Sequence, residues 1–351
     1  MTTPSVKSKT AQLPEIFSHY RSDIDQALRL SLSSDGSAVY DMLRYNMGWV
    51  DTSGRPCEAT EGKALRPTLC LFASEAAGGS VDQAVPAAVA LEFIHNFSLI
   101  HDDIQDGDAT RHHRPTVWAV WGVPKALVAG NILRVIADRS LTGLLERGVD
   151  PDRALAAGEA LTAAYLKMIE GQYLDLDYEG RPDIGMYDYL DMISCKTGAL
   201  ITSSLKLGAL IATRDQATID AFVRCGESLG RVFQIRDDVL GVWGDEETTG
   251  KPVGADIRRK KNSFPIVYAM AAAGPGDEAT LSRIYAQDRL HDNDVDTVLD
   301  IMDGLDTRGR ADELTAEYSE MALTAMSQVK LEPDAGRRLR ELVHFLRLRD
   351  H

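Results

Sequence analysis

From Phe97 to Thr116 the chain reads FSLIHDDIQDGDATRHHRPT: Asp102, Asp103, Asp106 and Asp108 come first, then Arg111, His112, His113 and Arg114. A second acidic pair, Asp237 and Asp238, stands in FQIRDDVLGVWGD. On a helix, positions four apart differ by about 40° in azimuth and one turn in height, so Asp102 and Asp106 share a face. Two carboxylates about 5 Å apart repel by roughly 3 kcal/mol at an effective dielectric near 20. Magnesium removes that penalty, accepting one or two carboxylates and leaving its other positions to water and phosphate oxygens. The plainer alternative is a pair of solvated helix ends.

Basic residues tip the balance. EGKALRP supplies Lys63 and Arg66, SCKTGAL supplies Lys196 beside Thr197, and GADIRRKKNSFP supplies Arg258, Arg259, Lys260 and Lys261. Cations in loops beside acidic helix ends suit a diphosphate bridged to metal, with metal on one side and ammonium or guanidinium groups on the other.

Helices must carry these groups. Val85, Val89, Phe93 and Phe97 form an apolar stripe at four-residue spacing before the first acidic cluster, and Leu229, Val232 and Phe233 precede the second. Similar Ala-rich, β-branched-poor texture recurs in RALAAGEALTAAYLKMIEGQYLDL, KTGALITSSLKLGALIA and DELTAEYSEMALTAMSQV. There is no βαβ rhythm and no solenoid repeat. The expectation is an all-α bundle, one domain over 21–351 after a flexible segment at 1–20.

The 351 residues suffice for a sizeable core, and 44% hydrophobic with 26% charged residues is globular composition. The net charge of −15 argues against non-specific nucleic-acid binding, which needs a positive field. The four cysteines show no CxxC spacing, which fits a reducing compartment better than a disulfide framework. MTTPSVKSKTAQLP lacks the apolar core of a signal peptide, and no apolar run reaches about 18 residues, so a cytoplasmic protein without a transmembrane segment is expected.

The ordered series GKxxRP (Gly62–Pro67), HDDxxDxDxxR…RPT (His101–Thr116), GQxxDL (Gly171–Leu176), KT (Lys196–Thr197), FQIRDD (Phe233–Asp238) and GK…D…KxSxP (Gly250–Pro265) resembles the trans-isoprenyl diphosphate synthases. The resemblance runs from about residue 30 to the C-terminus. It implies an all-α fold with a central cavity, two aspartate-rich helix ends facing each other across its mouth, and three Mg²⁺ ions bridging them to an allylic diphosphate. Asp102 and Asp106 would ligate from one side and Asp237 from the other, with Asp103 and Asp238 as support or additional ligands. Arg111, Lys196 and Lys261 would grip the same diphosphate, and Thr197 and Gln234 would face the allylic cation. Lys63, Arg66, His95 and His112 match positions that bind isopentenyl diphosphate. Phe97 and Ser98 match the floor of the elongation cavity. Phe97 lies about 7.5 Å deeper along the helix than Asp102, which suits a product of fifteen or twenty carbons. The family usually forms homodimers.

Four departures from the family pattern bear on the second substrate. His112 stands for the second arginine of the usual RRG, Ala64 for the arginine of GKRxRP, Gly241 for a third aspartate of the second acidic motif, and Asn131 for a frequent aspartate. Asp245 lies one turn beyond Gly241. A histidine offers no bidentate fork, and its charge depends on pH. One reading is subgroup variation, with His113 and Arg114 restoring the lost contacts. A second is a synthase-like terpene cyclase that ionises one allylic diphosphate. A third is a regulatory subunit of a heteromeric synthase. Retention of Lys63 and Arg66 favours condensation, and the whole DDxxD disfavours the regulatory subunit.

Overall fold

The computed structural model describes residues 13–33, 37–57, 62–244 and 252–349. Residues 1–12, Asp245 and the Gly250–Lys251 pair lie outside the described residues. The chain folds as α1 (Glu15–Ser31), α2 (Ala38–Asn46), α3 (Leu65–Ala76), α4 (Val81–Gln105), α5 (Val117–Trp121), α6 (Val123–Leu141), α7 (Gly143–Glu146), α8 (Pro151–Tyr178), α9 (Met186–Ile193), α10 (Ala199–Ala212) and α11 (Gln216–Trp243). Helices Ala255–Arg258, Phe264–Ala272, Pro275–Tyr285, Asp292–Gly304, Thr307–Ser327 and Ala335–Leu348 follow. One two-stranded hairpin, Thr110–Arg111 with Arg114–Pro115, is the only sheet among the described residues. The all-α expectation holds.

Local chemistry explains the long helices. Pro151 opens α8, where its missing N–H has no helical partner to lose, and the Asp150 carboxylate accepts the Asp152 N–H at 3.1 Å. Asp215 caps α11 in the same way through the Thr218 N–H at 3.1 Å. In α4, Pro86 cannot donate to the Asp82 carbonyl four residues earlier. Arg147 supplies that donor instead, at 3.0 Å.

Helix α4 is the centre of the bundle. Val85, Val89, Phe93 and Phe97 are buried as the stripe predicts, but Ala84, Ala87, Ala88, Ala90, Leu91 and Ile94 are buried as well. The helix is apolar nearly all round because α3, α6, α8 and α10 pack about it. Its length and composition would allow a membrane span, yet 78% of its most apolar window is inside the protein. Its role here is that of a core helix.

The expected boundary at residue 20 falls inside α1, where Ile16, Phe17 and Tyr20 are buried. Tyr20 donates to Glu75 at 2.6 Å, and Arg338 donates to the same carboxylate at 2.7 Å, tying α1, α3 and the Ala335–Leu348 helix together. Apolar positions in the chain just before residue 21 thus belong to the core. A smaller apolar cluster, including Val242, Ile257, Ile266, Leu281 and Val298, joins the end of α11 to the helices that follow it.

Candidate active site

A cavity of about 1300 Å³ opens between the C-terminal ends of α4 and α11, α8, and the Ala335–Leu348 helix. Fifteen of the sixteen residues singled out from sequence line it: Lys63, Arg66, His95, Phe97, Ser98, Asp102, Asp106, Arg111, His112, Lys196, Thr197, Gln234, Asp237, Asp238 and Lys261. The exception is Asp103.

The first acidic motif ends α4, and Asp106 is its C-cap. Carboxylates at a helix C-terminus oppose the helix dipole, so this position itself favours a cation nearby. Burial pushes the Asp102 carboxyl up to about 6, with Asp106 and Asp175 adding to the effect against Lys196 and Arg111. Asp106 accepts from Lys261 at 3.1 Å, and its Oδ1 is buried with no hydrogen-bond partner among the described residues. Asp103, 3% exposed, turns away from the cavity and accepts from Arg111 Nε at 2.8 Å and Nη2 at 2.7 Å. It aims Arg111. Asp108 pairs with Arg259, a second cation lining the cavity.

Lys196 and Thr197 sit on a π-helical turn, Ser194–Gly198, between α9 and α10. The widened turn is pressed between two helices at glycines. A Cβ on Gly171 of α8 would stand 2.2 Å from the Lys196 backbone nitrogen, and one on Gly230 of α11 would stand 2.7 Å from Gly198 Cα. π-turns occur disproportionately at functional sites because they redirect side chains out of helical register.

Lys196 pairs with Asp175, and Lys261 lies 4.0 Å from the same carboxylate. Burial would raise the Asp175 carboxyl, but the two lysines hold it below its usual range. Asp175 falls within GQxxDL, and residue type alone assigns it no role. Its spacing of four from Gly171 was the available signal.

The second motif splits in function. Asp238 accepts from Gln234 at 2.7 Å, from the Tyr189 hydroxyl at 2.7 Å and from the Phe264 N–H at 2.8 Å, so its oxygens are engaged by the protein. Gln234 in turn accepts from the Thr197 hydroxyl. Asp237 is half-exposed and pairs with Arg349, whose guanidinium lies 4.3 Å from the Phe233 ring centroid. A Cβ on Gly241 would stand 2.0 Å from Asp256 Oδ2. The space of a third aspartate is therefore filled by the Asp256 carboxylate, which lines the cavity from the following segment.

Lys63, Arg66, His95 and His112 line the same cavity. Arg66, 9% exposed, is pushed down to about 10 by burial, against the attraction of Glu92. Burial and the charges of Arg66 and Arg111 hold His95 well below the usual histidine range, so it is neutral at pH 7. Glu92 was not foreseen; its Oε1 accepts from Asn96 at 3.2 Å. Ala64, at φ 50°, caps α3 in the left-handed region.

His112 and His113 form the two-residue turn of the hairpin, both left-handed at φ 49° and 60°. Two such residues match a type I′ connection between twisted strands. His112 and His113 face the cavity mouth, where desolvation, Arg111, His113 and Lys63 lower the affinity of His112 for a proton. Arg114 does not restore a lost contact there. It donates to the Val50 carbonyl at 3.0 Å, and its guanidinium lies 4.3 Å from the Tyr45 ring centroid, a strut for the hairpin. Arg258 pairs with Asp292 and Lys260 with the Gln287 carbonyl, so of the RRKK run only Arg259 and Lys261 line the cavity. Asn131 is exposed on α6, away from it.

Residues 49–302 match the Polyprenyl synthetase family. The chain is 42% identical over 250 residues to the geranylgeranyl diphosphate synthase of Mycobacterium tuberculosis, covering 71% of this chain and 70% of that protein. It is 34% identical to the (2E,6E)-farnesyl diphosphate synthase of Mycobacterium bovis, covering 87% and 84%. The fold superposes on a polyprenyl synthetase from Streptomyces coelicolor A3(2) with TM-score 0.86 and 32% identity, covering 94% of this chain and 98% of that one.

Proposed function

The chain belongs to the polyprenyl synthetase family, and from that premise we propose that it is a prenyltransferase joining an allylic diphosphate head-to-tail to isopentenyl diphosphate. The product is a short-chain prenyl diphosphate of twenty or fifteen carbons. One observation carries this reading. A single cavity is lined by one set of cations, Lys196, Lys261 and Arg111, paired with Asp175, Asp106 and Asp103, and by a second, Lys63 and Arg66, with His112 next to Arg111. A cyclase needs only the first set, and a regulatory subunit would not keep the acidic residues whole.

The donor chemistry fits magnesium. Asp106 Oδ1 is buried and unpartnered among the described residues, and Asp102 is under a desolvation load that a cation relieves. Carboxylate oxygens are the donors magnesium prefers, and water and phosphate would supply its remaining ligands. Asp102, Asp106 and Asp237 would hold Mg²⁺, with three ions expected from the family. Bound magnesium supplies charge stabilisation on the departing diphosphate.

The chain's own groups do the rest. Lys196, Lys261 and Arg111 fix the allylic diphosphate by charge-assisted hydrogen bonds that strengthen as it leaves. The Thr197 hydroxyl donates a hydrogen bond to Gln234 Oε1, which leaves the hydroxyl lone pairs to face the cation at C1. Lys63, Arg66 and His112 hold isopentenyl diphosphate so that its double bond meets C1, an entropy advantage of placement. A proton is then lost to the released diphosphate, with no side-chain base required. Phe97 bounds the chain's growth at the apolar end, which keeps water from the cation.

The reading includes a homodimer. Leu127, Val128 and Val135 on α6, and Leu155, Leu166, Ile169 and Tyr173 on α8, are exposed apolar residues, and Ile169 and Tyr173 also line the cavity. A second copy over these helices would close that wall. The four unpaired cysteines support a reducing, cytoplasmic setting.

The test is incubation with Mg²⁺ and dimethylallyl, geranyl or farnesyl diphosphate, each with and without isopentenyl diphosphate. Longer diphosphates that require isopentenyl diphosphate support the proposal. A hydrocarbon or alcohol from the allylic substrate alone would replace it with the cyclase.

A further inference from the structure

The Phe97 ring at the deep end of the cavity is held by a second ring. Its centroid lies 4.7 Å from that of His101, one turn on, in an edge-to-face arrangement. His101 in turn occupies a notch in α6. A Cβ on Gly130 would stand 2.5 Å from His101 Nε2, 2.6 Å from its Cδ2, and 3.5 Å from Phe97 Cδ2. His101 Nε2 is buried without a close hydrogen-bond partner among the described residues, and the imidazole interacts with the Leu127 backbone of α6, which holds it against that helix. Phe97 and His101 line the cavity, whereas Gly130 lies buried behind them on α6.

We propose that Gly130 and His101 are positioning residues that set product length. The missing Cβ of Gly130 lets the imidazole sink into α6, and the imidazole fixes how far the Phe97 ring projects into the cavity. The inference rests on Phe97 being the floor. A methyl at position 130 would force the imidazole back by about 1 Å to reach van der Waals distance. Helix α6 stands behind it, so the ring moves towards the cavity and carries Phe97 with it. Removing the imidazole has the opposite effect, since the Phe97 ring can fall back into the notch.

The experiment compares G130A, H101A, the double variant and F97A with the wild type. Each receives geranyl diphosphate, isopentenyl diphosphate and Mg²⁺, and the dephosphorylated products are separated by chain length. G130A is expected to raise the C15-to-C20 ratio at least fivefold, H101A to lower it, and the double variant to match H101A within twofold. General damage to folding would lower turnover without shifting the ratio in opposite directions. If G130A does not fold, H101A alone decides. Wild-type ratios in G130A and H101A with longer products from F97A would overturn the role of the pair and leave the Phe97 floor standing. An unchanged F97A would remove the floor, and the pair's role with it.

Discussion

The Cβ that Gly171 lacks would stand 2.2 Å from the backbone nitrogen of Lys196. Helix α8 therefore touches the π-turn backbone to backbone, and the turn cannot retreat because Gly230 presses Gly198 from the other side. Gly171→Ala must displace the segment that aims Lys196 and Thr197. Overpacking of this kind costs about 1–3 kcal/mol of stability. Because about 1 Å of misplacement can cost roughly a hundredfold in rate, kcat should fall by about that factor. Steady-state kinetics beside a thermal melt check it; unaltered kcat in a folded variant would mean the π-turn does not position the chemistry.

The charge balance at Asp102 gives a pH prediction. Its carboxyl is raised to about 6 by burial, above the usual carboxylate value. The folded metal-free protein thus favours the protonated form. Asp102 contributes stability that is full at low pH and is lost as pH rises through about 6. Cation binding needs the carboxylate and runs the other way, weakening up to about tenfold per pH unit below 6. Two measurements check the sign: thermal melts in chelator, and Mn²⁺ titration with a diphosphate present, each comparing wild type with Asp102→Asn. The variant should lose the Asp102 share of both dependences, while Asp238, also raised to about 6 by burial, keeps its own.

Gly241 makes a prediction opposite to simple motif repair. Restoring the family's third aspartate by Gly241→Asp would drive a side chain into the Asp256 carboxylate, whose Oδ2 lies 2.0 Å from the Cβ position. Two acidic groups would then compete for one space, at a cost of about 1–3 kcal/mol from packing alone. Turnover should fall at least tenfold. Gain of activity would show that Asp256 is not the group filling this place.

Phe97 is 8% exposed and lines the cavity. Phe97→Ala should lengthen the product beyond the wild-type limit, read from product distribution at equal substrate ratios. Truncating a buried aromatic ring costs about 3–5 kcal/mol in a closed core. The cost here should lie at or below that range because the ring faces open space. An unchanged distribution would sink its role.

Much of this site was legible because metal and diphosphate chemistry demands charged residues at spacings that survive in one dimension. Asp102 and Asp106, Lys196 and Thr197, and Lys63 and Arg66, grouped by residue type and motif order, all line one cavity. What sequence could not show was direction. Asp103 and Asp102 are neighbours on a helix, yet Asp103 is absent from the cavity lining and pairs with Arg111 from behind, whereas Asp102 faces into the cavity. Arg114 looks equivalent to Arg111 in the string but braces Tyr45 and Val50. Gly241 reads as a loss in the string, whereas the carboxylate of Asp256, later in the chain, occupies its space. The adjacent histidines likewise read as donors, whereas their first task is to turn a hairpin at positive φ. Periodicity announced α4 as amphipathic, and only its packing revealed that it is surrounded.

The most direct test of two diphosphate sites in one cavity is the KM of each substrate in Lys63→Ala and Lys196→Ala, measured with the other substrate saturating. Losing a charge-assisted bond to phosphate costs about 1.5–3 kcal/mol, or roughly ten- to a hundredfold. Lys63→Ala should raise KM for isopentenyl diphosphate by that factor and leave the allylic KM within about twofold. Lys196→Ala should lower kcat and raise the allylic KM. If both variants raise the same KM, the cavity holds one diphosphate site and the account is wrong.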